Sequence, residues 1–291
     1  MARIFCRDLC IERGEPAPGL GPSSRSYVLL HWPRGDWRVP RITSHGMTPA
    51  LADAIVAANA AGIHVALVDG DDIGFTHQGI VRNHVTPDEA ADLLQDITRG
   101  GTIEGELDPR QTIVCCTDGK QDPCCARYGF ATWKALRQAA DPARFRILQS
   151  THLGGCRFAA SLVVLPQRAR YSRLEPTQVE EFLACLEKGM PYLAAYRGNP
   201  ALSAPEQMAE FAVLSWAAQR GVTGDVSLST KDHADAGSQM MRYGATVGAS
   251  RMTVVVEKAD FDVNTRCVTI PEPEGTKSVA RWVVTSVVAE N

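Results

Sequence analysis

The sequence predicts an α/β fold. Short apolar segments typical of buried strands alternate with helix-forming segments along most of the chain. Helix boundaries are well marked: residues 86–97 begin with a capping threonine, a proline and acidic residues, and glycines follow. The 291 residues are 45% apolar and 22% charged, which is typical of a globular protein with a sizeable core.

Residues 106–200 contain the best-defined unit. The predicted elements follow the order strand, helix, strand, then strand, strand, helix, and thioredoxin-like domains have this βαβ-ββα order. The strands are predicted at 111–116, 144–150, 161–166 and 169–174, and the helices at 129–140 and 176–189.

The flanking regions complete a prediction of three domains. Residues 1–105 form an N-terminal α/β region whose elements at 26–98 repeat a shorter version of the same order. Residues 201–291 form a C-terminal α+β extension. The extension contains a predicted helix at 205–220 and strands at 252–259, 267–272 and 281–288, whereas 1–25 and 222–249 are rich in small and polar residues and are predicted to be irregular.

Charge and hydropathy exclude several classes of protein. The net charge of −3 gives no indication of nucleic-acid binding. The first ten residues lack the apolar core of a signal peptide, and no segment approaches the ~20 apolar residues of a membrane helix. We therefore expect a cytoplasmic protein that does not bind membranes.

Nine cysteines are unevenly distributed along the chain. In a reducing compartment, cysteines are more often metal ligands, catalytic thiols or buried apolar residues than disulfides. Four of them lie in the short segment 115–125, and one follows a later strand. The four are Cys115, Cys116, Cys124 and Cys125.

Four residues are candidate metal ligands: Cys116, Cys125, His152 and Cys156. Cys116 and Cys125 bracket a loop at the end of one predicted strand, and His152 and Cys156 bracket a loop directly after another. The ends of parallel strands in a βαβ unit lie at the same edge of the sheet. Two loops would therefore meet there and offer four soft or borderline donors. The gap of eight residues between Cys116 and Cys125 is loose for a small zinc site and favours a [2Fe–2S] cluster, although the spacing permits both.

A resemblance agrees with this interpretation. The segments C-T-D-G-K-Q-D-P-C-C-A-R-Y-G at 116–129 and S-T-H-L-G-G-C-R-F-A-A-S at 150–161 resemble the sucrase/ferredoxin-like family, as does Y-R-G at 196–198. The resemblance implies a thioredoxin-like [2Fe–2S] ferredoxin domain. It matches two family cysteines to Cys116 and Cys125 and a family histidine to His152. The family's second histidine falls on Cys156, which changes the ligand set to three cysteines and one histidine.

The expected function is electron transfer with an unidentified redox partner protein, and the resemblance makes a homodimer plausible. We expect an electron carrier more than a stand-alone enzyme. A thiol oxidoreductase on the same fold and a structural zinc protein are the alternatives. Cys115 or Cys124 could replace its neighbour as a ligand. Cys6 and Cys10 have metal-like spacing but no obvious partner pair, and Cys185 and Cys267 are expected in the core.

Overall fold

A computed structural model describes residues 4–231 and 238–290. These residues form a ten-stranded mixed sheet and a separate four-stranded antiparallel sheet. The helices are α1 (Cys6–Glu12), α2 (Pro49–Ala60), α3 (Pro87–Thr98), α4 (Phe130–Ala139), α5 (Val179–Glu187) and α6 (Ala204–Arg220). The strands of the large sheet are β1 (Ser26–Trp32), β2 (Ile63–Asp69), β3 (Gly74–His77), β4 (Ile80–Arg82), β5 (Glu106–Leu107), β6 (Gln111–Cys116), β7 (Phe145–Ser150), β8 (Leu162–Leu165), β9 (Ala169–Tyr171) and β10 (Tyr196–Gly198).

The large sheet contains the predicted unit in its predicted order. Strand β6 pairs in parallel with β7, as a strand–helix–strand crossover requires. On its other side β6 pairs antiparallel with β8, which pairs antiparallel with β9. The order β7-β6-β8-β9, with α4 after β6 and α5 after β9, is the thioredoxin-like arrangement that the sequence predicts.

The N-terminal region repeats this arrangement. Strand β1 pairs in parallel with β2 and antiparallel with β3, and β3 pairs with β4. Helix α2 follows β1, and α3 follows β4. The order β2-β1-β3-β4 therefore matches β7-β6-β8-β9, and the predicted similarity of topology is confirmed. The two units join through one antiparallel pair, Val68 and Ser150, to make one continuous sheet. That the three predicted parts are separate domains stays a prediction.

The C-terminal extension is α+β, as predicted. Helix α6 packs against the small sheet through an apolar cluster that includes Ala209, Val213 and Tyr243. The strands of this sheet are β11 (Val226–Thr230), β12 (Met240–Val247), β13 (Ser250–Val263) and β14 (Lys277–Glu290).

Three predictions of local structure are wrong. Residues 1–25 include α1, and 222–249 contain β11 and β12. Strand β12 buries every second side chain, a pattern hidden by the polar outward residues between them. The predicted strand at 267–272 is a short 3₁₀ turn followed by prolines, which cannot donate a sheet hydrogen bond. His233, which neighbours Asp232 in the sequence, is expected at the surface, and it lies outside the described residues.

Candidate metal centre

Two loops meet at one edge of the large sheet. Strands β6 and β7 lie in parallel register, with Cys116 opposite Ser150, so both chains leave the sheet at the same end. The amide of Thr117 donates to the Ser150 carbonyl at 3.1 Å. The amide of His152 donates to an Asp118 carboxylate oxygen at 3.3 Å. These bonds hold the first residues of the two loops side by side.

The four predicted ligands come together at this edge. The donor atoms of Cys116, Cys125 and His152 lie within 4.8 Å of one another. The thiol of Cys156 lies 3.7 Å from Nδ1 of His152. All three cysteines are buried, and His152 is half-buried. The arrangement is a compact Cys₃His donor set, which suits an iron–sulfur cluster or a zinc ion.

The neighbouring cysteines have different surroundings. Cys115 points to the opposite face of β6, where its thiol lies 3.4 Å from the Gly129 carbonyl in the core shared with α4 and α5. The Cys124 thiol points away from the candidate ligands and contacts Cys6. The sequence left open whether Cys115 or Cys124 replaces its neighbour as a ligand. In the structure, neither of these two thiols lies with the four candidate donors.

Glycines let the backbone pass close to these donors. Gly129 ends the π-helical turn that begins at Cys125, and a Cβ there would lie 2.0 Å from the Cys116 carbonyl oxygen. Gly154 and Gly155 have φ angles of 98° and 77°, which favour glycine. The ligand loop at 152–156 therefore depends on residues without side chains.

Hydrogen bonds among the four groups shift their pKa values. A hydrogen bond with Cys125 is the main cause that lowers the pKa of Cys116. A second hydrogen bond with Cys125 is the main cause that lowers the pKa of Cys156, to about 6. The same bonds raise the pKa of Cys125. Burial works to lower the pKa of His152, but bonds with the other two thiols and their charge raise it to about 10. Cys116 and Cys156 thus carry thiolate character suited to metal binding, and a metal would displace the His152 proton.

Arginines surround the ligand loop. The carbonyl groups of three consecutive loop residues each accept a hydrogen bond from a guanidinium group. One of these arginines follows β1 of the N-terminal unit, and the other two, on β9 and β10, are buried. The pairs are Arg41 Nη2 with His152 O at 3.1 Å, Arg170 Nη2 with Leu153 O, and Arg197 Nη1 with Gly154 O at 3.1 Å.

A buried carboxylate supports the loop from the other side. The side chain of Glu15 is fully buried between Arg157, which follows Cys156, and Arg281 on β14. Its oxygens accept bonds of 2.7 and 3.0 Å from Arg157 and 2.9 Å from Arg281. The partner of Arg157 is therefore this acid.

A Cys₃His donor set of this kind can bind either a redox-active iron–sulfur cluster or a structural zinc ion. The family model for sucrase/ferredoxin-like proteins matches residues 20–198, which is more than half of the chain. The chain therefore belongs to the sucrase/ferredoxin-like family. No curated protein matches the sequence.

Solved structures show a more limited similarity. A thioredoxin-like [2Fe–2S] ferredoxin from Aquifex aeolicus is 19% identical, with a TM-score of 0.28, and the match covers 31% of this chain and 91% of that chain. A cysteine-to-serine variant of that ferredoxin is also 19% identical, with a TM-score of 0.27 and coverage of 30% and 96%. Within 4–231 and 238–290, no helix is long and apolar enough to cross a membrane.

Proposed function

We propose that the chain binds one [2Fe–2S] cluster through Cys116, Cys125, His152 and Cys156 and works as an electron carrier. The observation that carries this proposal is the meeting of four donors, two from each of two loops, at one buried edge of the sheet. Two pairs of ligands are what a two-iron cluster requires, one pair for each iron. Membership of the sucrase/ferredoxin-like family supports the same assignment.

The bound cluster would supply one-electron chemistry, and the residues of the chain would set its potential. Three thiolates and one neutral imidazole would give the oxidised site a net negative charge, which reduction increases. The guanidinium groups of Arg41, Arg170 and Arg197 lie around the ligand loop and would favour the reduced state. They also fix the backbone conformation from which His152 and Cys156 project.

The first experiment is an optical spectrum of protein purified without oxygen, recorded before and after dithionite, with analysis of iron and sulfide. We expect absorption between roughly 320 and 600 nm that bleaches on reduction, with about two irons per chain. Cys116→Ser should lose most of the colour. Cys115→Ser is the matched control, because its thiol is adjacent in sequence but points to the opposite face, and it should keep the colour.

A structural zinc ion is the second candidate for this site. The donor atoms of Cys116, Cys125 and His152 lie within 4.8 Å of one another, a spacing that suits a single tetrahedral ion. Colourless protein with zinc bound at this site and no iron would overturn the electron-carrier proposal in favour of zinc. Colourless protein with no metal, which iron and sulfide cannot reconstitute, would instead favour thiol chemistry at the low-pKa Cys156.

The redox partner protein, the homodimer and the cytoplasmic location stay predictions. Size-exclusion chromatography with light scattering would test the homodimer. Reduction of the purified chain by cellular reductases, followed at the cluster absorption band, would test the partner.

A further inference from the structure

A second group of metal-binding donors lies next to Cys124. A carboxylate oxygen of Asp122 and the thiols of three cysteines lie within 4.8 Å of one another. The sulfur atoms form a nearly regular triangle. Its sides are 3.5 Å for Cys6–Cys124, 3.3 Å for Cys124–Cys267 and 3.7 Å for Cys267–Cys6.

These distances indicate which ligand the group suits. Zinc binds thiolates at ~2.3 Å, so two sulfurs at adjacent corners of a tetrahedron lie about 3.8 Å apart. The observed sides are close to this value. An iron–sulfur cluster holds thiolates on different irons and would separate them further. A disulfide would join only two of the three sulfurs and leave the third thiol buried beside it.

Backbone amides orient the donors. The amide of Cys124 donates to Oδ1 of Asp122 at 2.9 Å, and the amide of Cys267 donates to Oδ2 at 2.7 Å. The amide of Cys6 points to the Cys267 sulfur at 3.5 Å. Each carboxylate oxygen keeps a second lone pair for a metal. Hydrogen bonds of this kind around a donor set fix ligand orientation and offset thiolate charge.

The donors come from distant parts of the chain. Cys6 lies on α1, Asp122 and Cys124 lie in the loop before α4, and Cys267 lies in the turn between β13 and β14. Cys6 and Cys267 both fall outside residues 20–198, the part matched by the family model. The site would therefore attach α1 and the turn between β13 and β14 to the loop that carries Cys125.

We propose that Cys6, Asp122, Cys124 and Cys267 bind one Zn²⁺ ion as a structural site. Thiolates and carboxylates are both ligands of this ion, and four protein donors leave no open position for catalysis. The carboxylate favours Zn²⁺ over Cu⁺, which prefers purely soft ligands. This site is separate from the proposed [2Fe–2S] ligands and does not depend on their assignment.

The test is zinc analysis of the full chain after anaerobic purification, incubation with three equivalents of Zn²⁺ and removal of free metal. We expect one zinc per chain, and its loss in Cys6→Ser and Cys267→Ser with iron content unchanged. Cys185→Ser is the matched control, because this half-buried cysteine on α5 belongs to neither group, and it should keep the zinc.

The outcomes separate the two proposals. Two zinc ions in wild type and one in Cys267→Ser would support this site while overturning the [2Fe–2S] assignment. No zinc in wild type, or equal zinc in Cys267→Ser and Cys185→Ser, would overturn this site.

If the variants do not fold, the deciding test is the rate at which cysteines of the wild-type chain are alkylated with and without zinc. Zinc must protect the peptides containing Cys6 and Cys267, and reaction at equal rates with and without zinc would overturn the proposal.

Discussion

The buried Glu15 allows a quantitative test of how the ligand loop is stabilised. Its side chain is fully buried and accepts hydrogen bonds from Arg157 and Arg281. The change Glu15→Gln keeps the shape but removes the charge, so two guanidinium groups lose their buried counter-charge. Breaking a buried ion pair costs about 3–5 kcal/mol. At about 2 °C per kcal/mol for a chain of this size, the melting temperature should fall by about 6–10 °C.

The assay is thermal unfolding followed by circular dichroism, and Glu187→Gln is the control. Glu187 is exposed and pairs with the exposed Arg144 at 3.2 Å. A surface pair contributes about 0–1 kcal/mol, so this control should lower the melting temperature by about 2 °C or less. Equal shifts for Glu15→Gln and Glu187→Gln would refute the reasoning.

The same variant predicts a dependence on pH. Burial works to raise the pKa of Glu15, but hydrogen bonds and charges from Arg157 and Arg281 outweigh it, and the net pKa is lowered. Its contribution is therefore fully present above its ordinary pKa and is lost as the pH falls through the lower folded-state value. The stability difference between wild type and Glu15→Gln should be constant near neutral pH and shrink in acid.

Three further outcomes test the site. His152→Cys should lower the reduction potential, because a thiolate adds negative charge where a neutral imidazole would bind, and a potential that did not fall would count against histidine ligation. Gly129→Ala should reduce iron per chain and cost about 1–3 kcal/mol, because its Cβ would lie 2.0 Å from the Cys116 carbonyl oxygen. Gly35→Ala, where no atom lies within 4 Å of the added Cβ, should change neither iron content nor stability. Iron chelation of the dithionite-reduced protein should bleach the spectrum, and colour that persists after analysis shows that the iron has been removed would exclude a cluster.

Much of the fold could be predicted from the sequence because its signals are local. Helix α3 illustrates this: Thr86 accepts from the Glu89 amide, and the Glu89 side chain accepts from the Thr86 amide, so the capping box is complete. The repeated order of strands was likewise visible in the alternation of apolar segments. Strands β11 and β12 were missed because polar residues alternate with their apolar ones and Gly244 interrupts β12.

The two metal-binding groups differ in how far they could be predicted. Cys116 ends β6 and His152 follows β7, and strand order brings their loops together. Cys6 and Cys267 are 261 residues apart, and no local pattern joins them. The chemical signal in the sequence was the surplus of cysteines over those that one centre needs.

The joining of two similar units within one chain has a consequence for assembly. In separate subunits, pairing across the sheet would follow protein concentration, and dilution would dissociate it. Here β2 and β7 belong to the same polypeptide, so their encounter is intramolecular and has a high effective concentration. A single strand pair across this boundary can therefore persist at any dilution. The unit with the cysteines also keeps one specific neighbour, whose Arg41 reaches its ligand loop.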